Sequence, residues 1–132
     1  MDKNKRPIIS FKDLEIYRNT YRDSIVIMMR ILPKLPESEK YDLKDQLSRS
    51  CKAIPRLIAE GYAKRHQKFG FQKYLDDALA ECNETIVSLE QTKDIYGYLT
   101  DNNLCNDLIN NYNISAKQIF TLRKAWRNFN QI

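Results

Sequence analysis

The chain has 132 residues, of which 42% are hydrophobic and 30% charged, and its formal net charge is +5. This balance is typical of a folded globular domain rather than a disordered chain. With three glycines and four prolines, the sequence lacks the turn residues of a β-rich fold, and no apolar run approaches the roughly 18 residues of a membrane span. We expect a single all-helical domain over residues 10–132 in the cytoplasm, after a short flexible tail over residues 1–9.

The first helical segment begins near Ser10 and has apolar residues three or four positions apart, which places them on one stripe. The stripe predicted to face the core consists of Leu14, Tyr17, Tyr21, Ile25, Met28 and Leu32. Ser10 is a typical N-cap residue, with Asp13 three positions on as its partner in a capping box. Pro33 and Pro36 then end the segment, because proline does not continue a helix.

The same segment has a second stripe, formed by Ile16, Ile27 and Ile31 with Thr20. It lies more than about 90° from the first stripe around the helix, so a single bundle core would leave it partly exposed. One interpretation is a wide apolar face shared between two neighbouring helices. The other is an oligomer interface, since contiguous exposed apolar surface on a small protein usually marks association.

The second helical segment starts after Asp42, which is positioned to cap it. Its predicted inner face consists of Leu47, Cys51, Ile54 and Ile58. Pro55 lies within this pattern, where it removes a backbone hydrogen bond and crowds the carbonyl group of Cys51, at a cost of about 3 kcal/mol unless the helix bends. We therefore predict that the second helix is kinked near Pro55.

Two further segments show the same period, one from about Lys68 to Tyr96 and one from Asp101 to about Asn130, with Gly97 between them. Their predicted core residues are Phe71, Leu75, Ala78, Cys82, Ile86, Leu89 and Tyr96, then Leu104, Leu108, Tyr112, Ile119, Leu122, Trp126 and Phe129. Helices joined by short connections run antiparallel to their chain neighbours. The sequence therefore predicts an all-α fold, an antiparallel up-down-up-down four-helix bundle.

Residues of the types needed for catalysis or metal binding are few and scattered. The single histidine, His66, lies in a basic run at a predicted helix end, where an ordinary solvated side chain is the simplest interpretation. Cys51, Cys82 and Cys105 lie far apart at core spacings, so we expect buried apolar side chains rather than ligands or nucleophiles. We therefore expect no enzymatic activity, no metal site and no cofactor.

The charges are unevenly distributed along the chain. From Gln46 to Lys73, seven basic residues stand against the single acid Glu60, whereas residues 74–107 hold eight acids against Lys93. A basic surface attracts nucleic-acid phosphates and an acidic surface repels them. A nucleic-acid contact should therefore involve the first region.

Six basic residues form the predicted nucleic-acid-binding surface, namely Arg49, Lys52, Arg56, Lys64, Arg65 and Lys68. The three nearer the N-terminus fall within about 60° of one another on a helix, opposite Ile54 and Ile58, and the other three extend the charge past the helix end. The alternative is ordinary salt-bridged surface, since Asp45 and Glu60 stand four residues from Arg49 and Arg56.

Residues 46–62 read Gln-Leu-Ser-Arg-Ser-Cys-Lys-Ala-Ile-Pro-Arg-Leu-Ile-Ala-Glu-Gly-Tyr. This segment resembles a signature of the four-helix-bundle intervening-sequence proteins, first noticed as reading frames inserted in bacterial large-subunit ribosomal RNA genes. Ile54-Pro55 followed by residues 59–61 (Ala-Glu-Gly) is its most specific part. Residues 11–17 and 71–79 also look like helix starts of that family, so the resemblance spans most of residues 10–100.

The resemblance implies a kinked second helix and ring-shaped homo-oligomers, with a homopentamer suspected. It also implies kinship with the accessory variability determinant of diversity-generating retroelements, a basic bundle that binds nucleic acid and partners a reverse transcriptase. The first hypothesis is therefore an oligomeric accessory protein that binds RNA or DNA through the six basic residues. The alternative is a protein-only scaffold encoded in a ribosomal RNA intervening sequence, with an acidic third helix that meets a basic partner.

Overall fold

A computed structural model describes the backbone of residues 7–130 and the side chains of residues 7–126. It contains four α-helices; residues 27–42, with π- and 3-10-helical turns, connect the first two, and short turns connect the others. The four helices are α1 (Glu15–Val26), α2 (Leu43–Ala63), α3 (Gly70–Tyr96) and α4 (Asn102–Asn130). No strand occurs between residues 7 and 130, so the expectation of an all-helical fold is confirmed. Most of the predicted tail (residues 1–6) and the side chain of Phe129 lie outside the described part of the chain.

The segment before α1 begins with the predicted capping box. The Lys12 backbone N–H donates to Ser10 Oγ (3.0 Å), and the Ser10 backbone N–H donates to Asp13 Oδ2 (3.0 Å). These bonds satisfy backbone donors of a short 3-10 turn, Phe11–Asp13, and α1 itself starts after the extended residue Leu14. The helix continues into a π-helical turn, Ile27–Ile31.

The first helical segment buries its second stripe and part of its first, of which Leu14 and Leu32 are buried as predicted. Ile16, Ile27 and Ile31 are buried among residues of the same chain, so they are not available as the oligomer interface assigned to them from the sequence. The interpretation of a face packed within the bundle is the correct one. Tyr21 and Ile25, predicted to be core residues, are instead 50% and 46% exposed.

Polar side chains explain why the buried stripe of α1 is hard to recognise. Thr20 and Ser24 are buried with it, and each hydroxyl donates to a carbonyl one turn earlier: Thr20 Oγ1 to the Ile16 carbonyl (2.7 Å) and Ser24 Oγ to the Tyr21 carbonyl (2.6 Å). Such local bonds remove the cost of burying a hydroxyl. A stripe that contains polar residues can therefore face the core.

Helix α2 has the predicted inner face, with all four of its apolar residues fully buried. Asp42 precedes α2 but its side chain makes no capping bond; Glu39 Oε1 accepts from the Leu43 N–H instead (3.3 Å). Pro55 is buried within α2, which is continuous from Leu43 to Ala63. The bend predicted at this proline stays a prediction.

Three side-chain contacts join α2 and the residues on either side of it to α3. Ser50 accepts a hydrogen bond from Thr85, Tyr96 donates to Glu39, and Lys64 donates to Tyr74, at 2.9, 2.5 and 2.6 Å. In these three pairs, the higher the residue number in or beside α2, the lower the residue number of its partner on α3. Between the helices, a Cβ built on Gly61 would lie 2.6 Å from Tyr74 Cβ, so the close approach of α2 and α3 requires glycine there.

The core lies where the four helices meet. Asn111 of α4 donates to Asp23 of α1 (3.3 Å), and Lys93 of α3 donates to Asn106 of α4 (3.2 Å). The three cysteines are free and fully buried, as predicted, and they pack as small apolar side chains. Among residues 7–130, no helix combines the length and the apolar content needed to cross a bilayer.

Candidate nucleic-acid interface

The basic face of α2 consists of Arg49, Lys52 and Arg56, and all three side chains are exposed. Their spacing of three and four residues places them on one side of the helix, while Ile54 and Ile58 on the other side are fully buried. The amphipathic pattern of α2 therefore orients the basic face to solvent. This arrangement agrees with the sequence prediction for these three positions.

Arg49 is the least available of the three cations. Its Nη1 lies 3.6 Å from Asp45 Oδ2, one turn earlier on the same helix, although the Arg49 side chain remains 80% exposed. An exposed ion pair of this kind adds little stability, but the carboxylate partly neutralises the guanidinium. At Arg49 the structure therefore agrees with the alternative interpretation of the sequence, an ordinary salt-bridged surface.

Lys52 and Arg56 differ from Arg49 in this respect. Within the part of the chain that the structure describes, neither residue forms an ion pair. Glu60, four residues after Arg56, lines a surface groove with it but is not within ion-pair distance. Two uncompensated cations one helical turn apart can contact successive phosphates of a nucleic-acid strand.

A groove of about 280 Å³ lies beside the basic face, between α1 and α2. We call it the tyrosine groove; its lining consists of Phe11, Tyr17, Tyr21, Ser24, Ile25, Lys52, Pro55, Arg56 and Ala59. None of the described residues that line it is acidic. The groove was not predicted from the sequence, because the periodicity places the tyrosines of α1 on the stripe predicted to face the core. The presence of two apolar stripes on one helix was the only signal for it.

The rings in the tyrosine groove contact one another. Phe11 and Tyr17 pack edge to face with centroids 4.8 Å apart, and the Tyr17 and Tyr21 rings are 5.9 Å apart at an angle of 33°. Tyr17 and Phe11 are partly buried against the core, which holds the Tyr17 ring in place. Half of Tyr21 remains open to solvent.

The other side of α2 has the opposite character. There Arg49, Lys52 and Arg56 share a surface groove with Glu60 and Glu81, and an adjoining groove is lined by Glu81 and Glu84. Burial and the neighbouring Glu84 carboxylate raise the pKa of Glu81, while Arg49 opposes this shift. We refer to Glu60, Glu81 and Glu84 as the acidic side of the basic face.

The remaining predicted cations, Lys64, Arg65 and Lys68, lie in the turn between α2 and α3 and contact aromatic rings. Lys64 Nζ donates to Tyr74 Oη (2.6 Å), which raises the pKa of the ammonium group. The Arg65 guanidinium lies over the Tyr62 ring, 4.1 Å from its centroid, and the Lys68 ammonium lies 5.5 Å from the Phe69 ring. These contacts order the cations but leave Lys64 and Lys68 exposed to solvent.

The turn that holds these cations has a tight backbone. Phe69 adopts a left-handed conformation with φ of 59°, which is unusual for a residue with a side chain. Next to it, a Cβ on Gly70 would lie 2.0 Å from the Lys64 carbonyl oxygen, so only glycine fits at the first residue of α3. The basic turn thus packs closely between the end of α2 and the start of α3.

Potential catalytic and metal-binding residues are not brought together in the structure. His66 is exposed in the turn, and no group of three His, Cys, Asp or Glu side chains suited to a metal ion occurs among the described residues. Burial raises the pKa of Cys51 and Cys82 to about 12, which disfavours the thiolate that nucleophilic chemistry requires. The cysteines therefore act as core residues.

Comparison with known proteins agrees with the helical signature in α2. No curated protein matches the chain. The family model described as 23S rRNA-intervening sequence protein matches residues 12–121, which include α1, α2, α3 and most of α4. The chain therefore belongs to the 23S rRNA-intervening sequence protein family.

Proposed function

We propose that this protein is a non-enzymatic, oligomeric accessory protein that binds RNA or DNA through the basic face of α2 and the basic turn after it. The single observation that supports this proposal best is the pair of exposed cations, Lys52 and Arg56, which have no ion-pair partner among the described residues and lie beside a groove whose described lining contains no acid. Binding of this kind is electrostatic, so it should be weakly sequence-selective and sensitive to salt.

The proposal extends to partners. We propose kinship with the accessory variability determinant of diversity-generating retroelements, with a reverse transcriptase as a partner, and a homo-oligomer, with a pentamer as the expected state. Because Ile16, Ile27 and Ile31 are buried, other residues must form the subunit contacts. Light scattering tests this part, and a strict monomer at micromolar concentration would contradict it.

The proposed arrangement of helices is the predicted up-down-up-down bundle with α2 kinked near Pro55. The order of the contacts between α2 and α3 supports antiparallel packing of these two helices. The pairs Lys93 with Asn106, and Asp76 with Arg123, support the same for α3 and α4. Cross-links between engineered cysteines at exposed helix ends would test this order.

Charge reversal tests the proposed binding surface. Anisotropy titrations with a labelled RNA or DNA should show affinity that falls as salt rises; for each phosphate contact, the slope of log affinity against log salt should change by about 0.9 for duplex DNA and about 0.7 for a single strand. The variant with Arg49→Glu, Lys52→Glu and Arg56→Glu should lose this binding. The matched control reverses three other exposed lysines, Lys34, Lys117 and Lys124, and changes the net charge equally. No binding by the natural chain at low salt, or equal loss in both variants, would contradict the proposal.

A second candidate function is a protein-only scaffold encoded in a ribosomal RNA intervening sequence. The acidic side favours it, because burial and the neighbouring Glu84 carboxylate raise the pKa of Glu81, so the Glu81 carboxylate is repelled by its surroundings. A basic protein partner would relieve this repulsion. Salt-sensitive binding of a basic peptide that is lost in the Glu81→Gln/Glu84→Gln variant, without any nucleic-acid binding, would support this function.

A further inference from the structure

The tyrosine groove presents features that the proposed electrostatic binding does not use. A phosphate-binding surface needs cations, but it does not need exposed aromatic rings. Tyr21 and Ile25 are large, half exposed and next to Lys52 and Arg56 rather than scattered singly over the surface. An apolar patch bordered by charge usually marks a binding site.

The lining of this groove combines two kinds of contact. Tyr21 offers a half-exposed ring, and Tyr17 beside it packs on Phe11. Lys52 and Arg56 supply positive charge on the α2 wall. Aromatic rings beside cations are the arrangement by which proteins bind single-stranded nucleic acid, in which bases stack on rings and phosphates contact cations.

Charge complementarity selects the side of α2 on which a strand would lie. On the acidic side, Glu60, Glu81 and Glu84 would repel phosphates. The described lining of the tyrosine groove contains no carboxylate, so a polyanion meets attraction without repulsion there. A duplex keeps its bases stacked internally and cannot offer them to the rings.

We propose that the tyrosine groove binds an unpaired segment of a nucleic-acid strand, with a base stacked on Tyr21 and the adjacent phosphates on Lys52 and Arg56. This inference rests on the proposed function, and it names single strands rather than duplexes as the preferred ligand. The groove volume of about 280 Å³ is near the lower end of the range for ligand pockets, so it suits a single base with its sugar rather than a longer segment. Unpaired strands of RNA and of DNA both present a base with its adjacent phosphates, so either could bind in this way.

The test compares a single strand with a duplex of the same length, each as RNA and as DNA. A 2-aminopurine base in the single strand reports stacking directly, because its fluorescence is quenched when it stacks. Tyr21→Leu keeps an apolar side chain but removes the ring, and it should weaken single-strand binding by about tenfold and reduce the quenching. Duplex affinity should stay within about twofold of that of the natural chain. The RNA and DNA arms show which strand is preferred.

Two further variants separate stacking from general damage. Tyr21→Phe keeps the ring and should bind a single strand as the natural chain does. Tyr41→Leu removes another highly exposed tyrosine beside a lysine, outside the groove, and should change neither affinity nor quenching.

Several results would overturn the inference. If Tyr21→Leu leaves single-strand affinity unchanged while reversal of Arg49, Lys52 and Arg56 abolishes binding, the groove inference fails and the proposed function stands. If Tyr21→Leu dissociates an oligomer without a change in affinity per site, the groove is an interface between copies. If the natural chain binds no nucleic acid at low salt, both the proposed function and this inference fail.

Discussion

The basic face of α2 borders different surfaces on its two sides, one aromatic and one acidic. Towards α1, Lys52 and Arg56 border aromatic rings, and no described lining residue is acidic. Towards α3, the same two cations and Arg49 border the carboxylates of Glu60 and Glu81. A row of cations on a helix therefore does not define a binding site by itself. The neighbouring helices decide from which side an anion can approach.

The largest expected effect tests the orientation of α1, on which the tyrosine groove depends. Ile27 is fully buried and Ile25, two residues before it, is half exposed. Ile27→Ala should lower the free energy of unfolding by about 2–5 kcal/mol, because it leaves a cavity in the core. Ile25→Ala is the control and should cost less than about 1 kcal/mol. Urea unfolding measures both, and equal losses would show that α1 faces the core differently.

The next effect concerns the close packing of α2 on α3, which fixes the acidic side. Helix propensity alone favours Ala over Gly by about 1 kcal/mol. A Cβ at Gly61 would nevertheless lie 2.6 Å from Tyr74 Cβ and 3.0 Å from Phe71 Cδ1. Gly61→Ala should therefore lower the free energy of unfolding by about 1–3 kcal/mol. A stabilised variant in urea unfolding would contradict this approach of the two helices.

A smaller effect compares cations within the basic face. Arg56→Gln should reduce the slope of log affinity against log salt by about 1, because Arg56 has no ion-pair partner in the described chain. Arg49→Gln should change the slope less, since Asp45 already partly neutralises Arg49. Anisotropy titrations at several salt concentrations measure both slopes. A greater change for Arg49→Gln would place the bound strand on the acidic side.

The smallest expected effect is a pH dependence of the free energy of unfolding. It arises from Asp23, which is buried inside the bundle on the α1 face opposite the groove. Burial raises the pKa of Asp23 above its ordinary value of 3.8, although Arg22 and the Asn111 hydrogen bond oppose this shift. The folded chain therefore binds this proton more tightly than the unfolded chain does. The Asp23 contribution to the free energy of unfolding should increase as pH falls through the raised pKa towards 3.8.

Asp23→Asn removes this titration and should flatten that part of the pH dependence. Thermal unfolding of the variant and of the natural chain between about pH 4 and pH 7 measures the difference. Asp107→Asn, at an exposed site on α4, serves as the control. An unchanged profile in Asp23→Asn would show that the buried carboxyl does not titrate in this range.

Much of this fold could be predicted from the sequence, with α1 as the exception. On α2 the apolar residues form one stripe and the basic residues another, so both faces could be assigned correctly. On α1 two stripes compete, and the less hydrophobic one, with Thr20 and Ser24, is buried. Periodicity cannot choose between them, because the choice depends on hydrogen bonds within the helix and on the surfaces of α2 and α4.

The candidate site could be predicted only in part for a similar reason. The exposure of Arg49, Lys52 and Arg56 follows from their spacing along a single helix. The neighbours of these cations come from α1 and α3, and their register across the helices is a property of the packed bundle. The proximity of Tyr21 to Arg56, and of Glu81 to Arg49, could not be deduced from distance along the chain.

Chemical-shift mapping of the backbone amides during titration with a single-stranded oligonucleotide would locate the bound strand on α2. We expect salt-sensitive shifts at Lys52, Arg56 and Tyr21, with little change at Glu81 and Glu84. Shifts confined to the acidic side, or no shifts at low salt, would contradict the claim that this chain binds nucleic acid on the α1 side of α2.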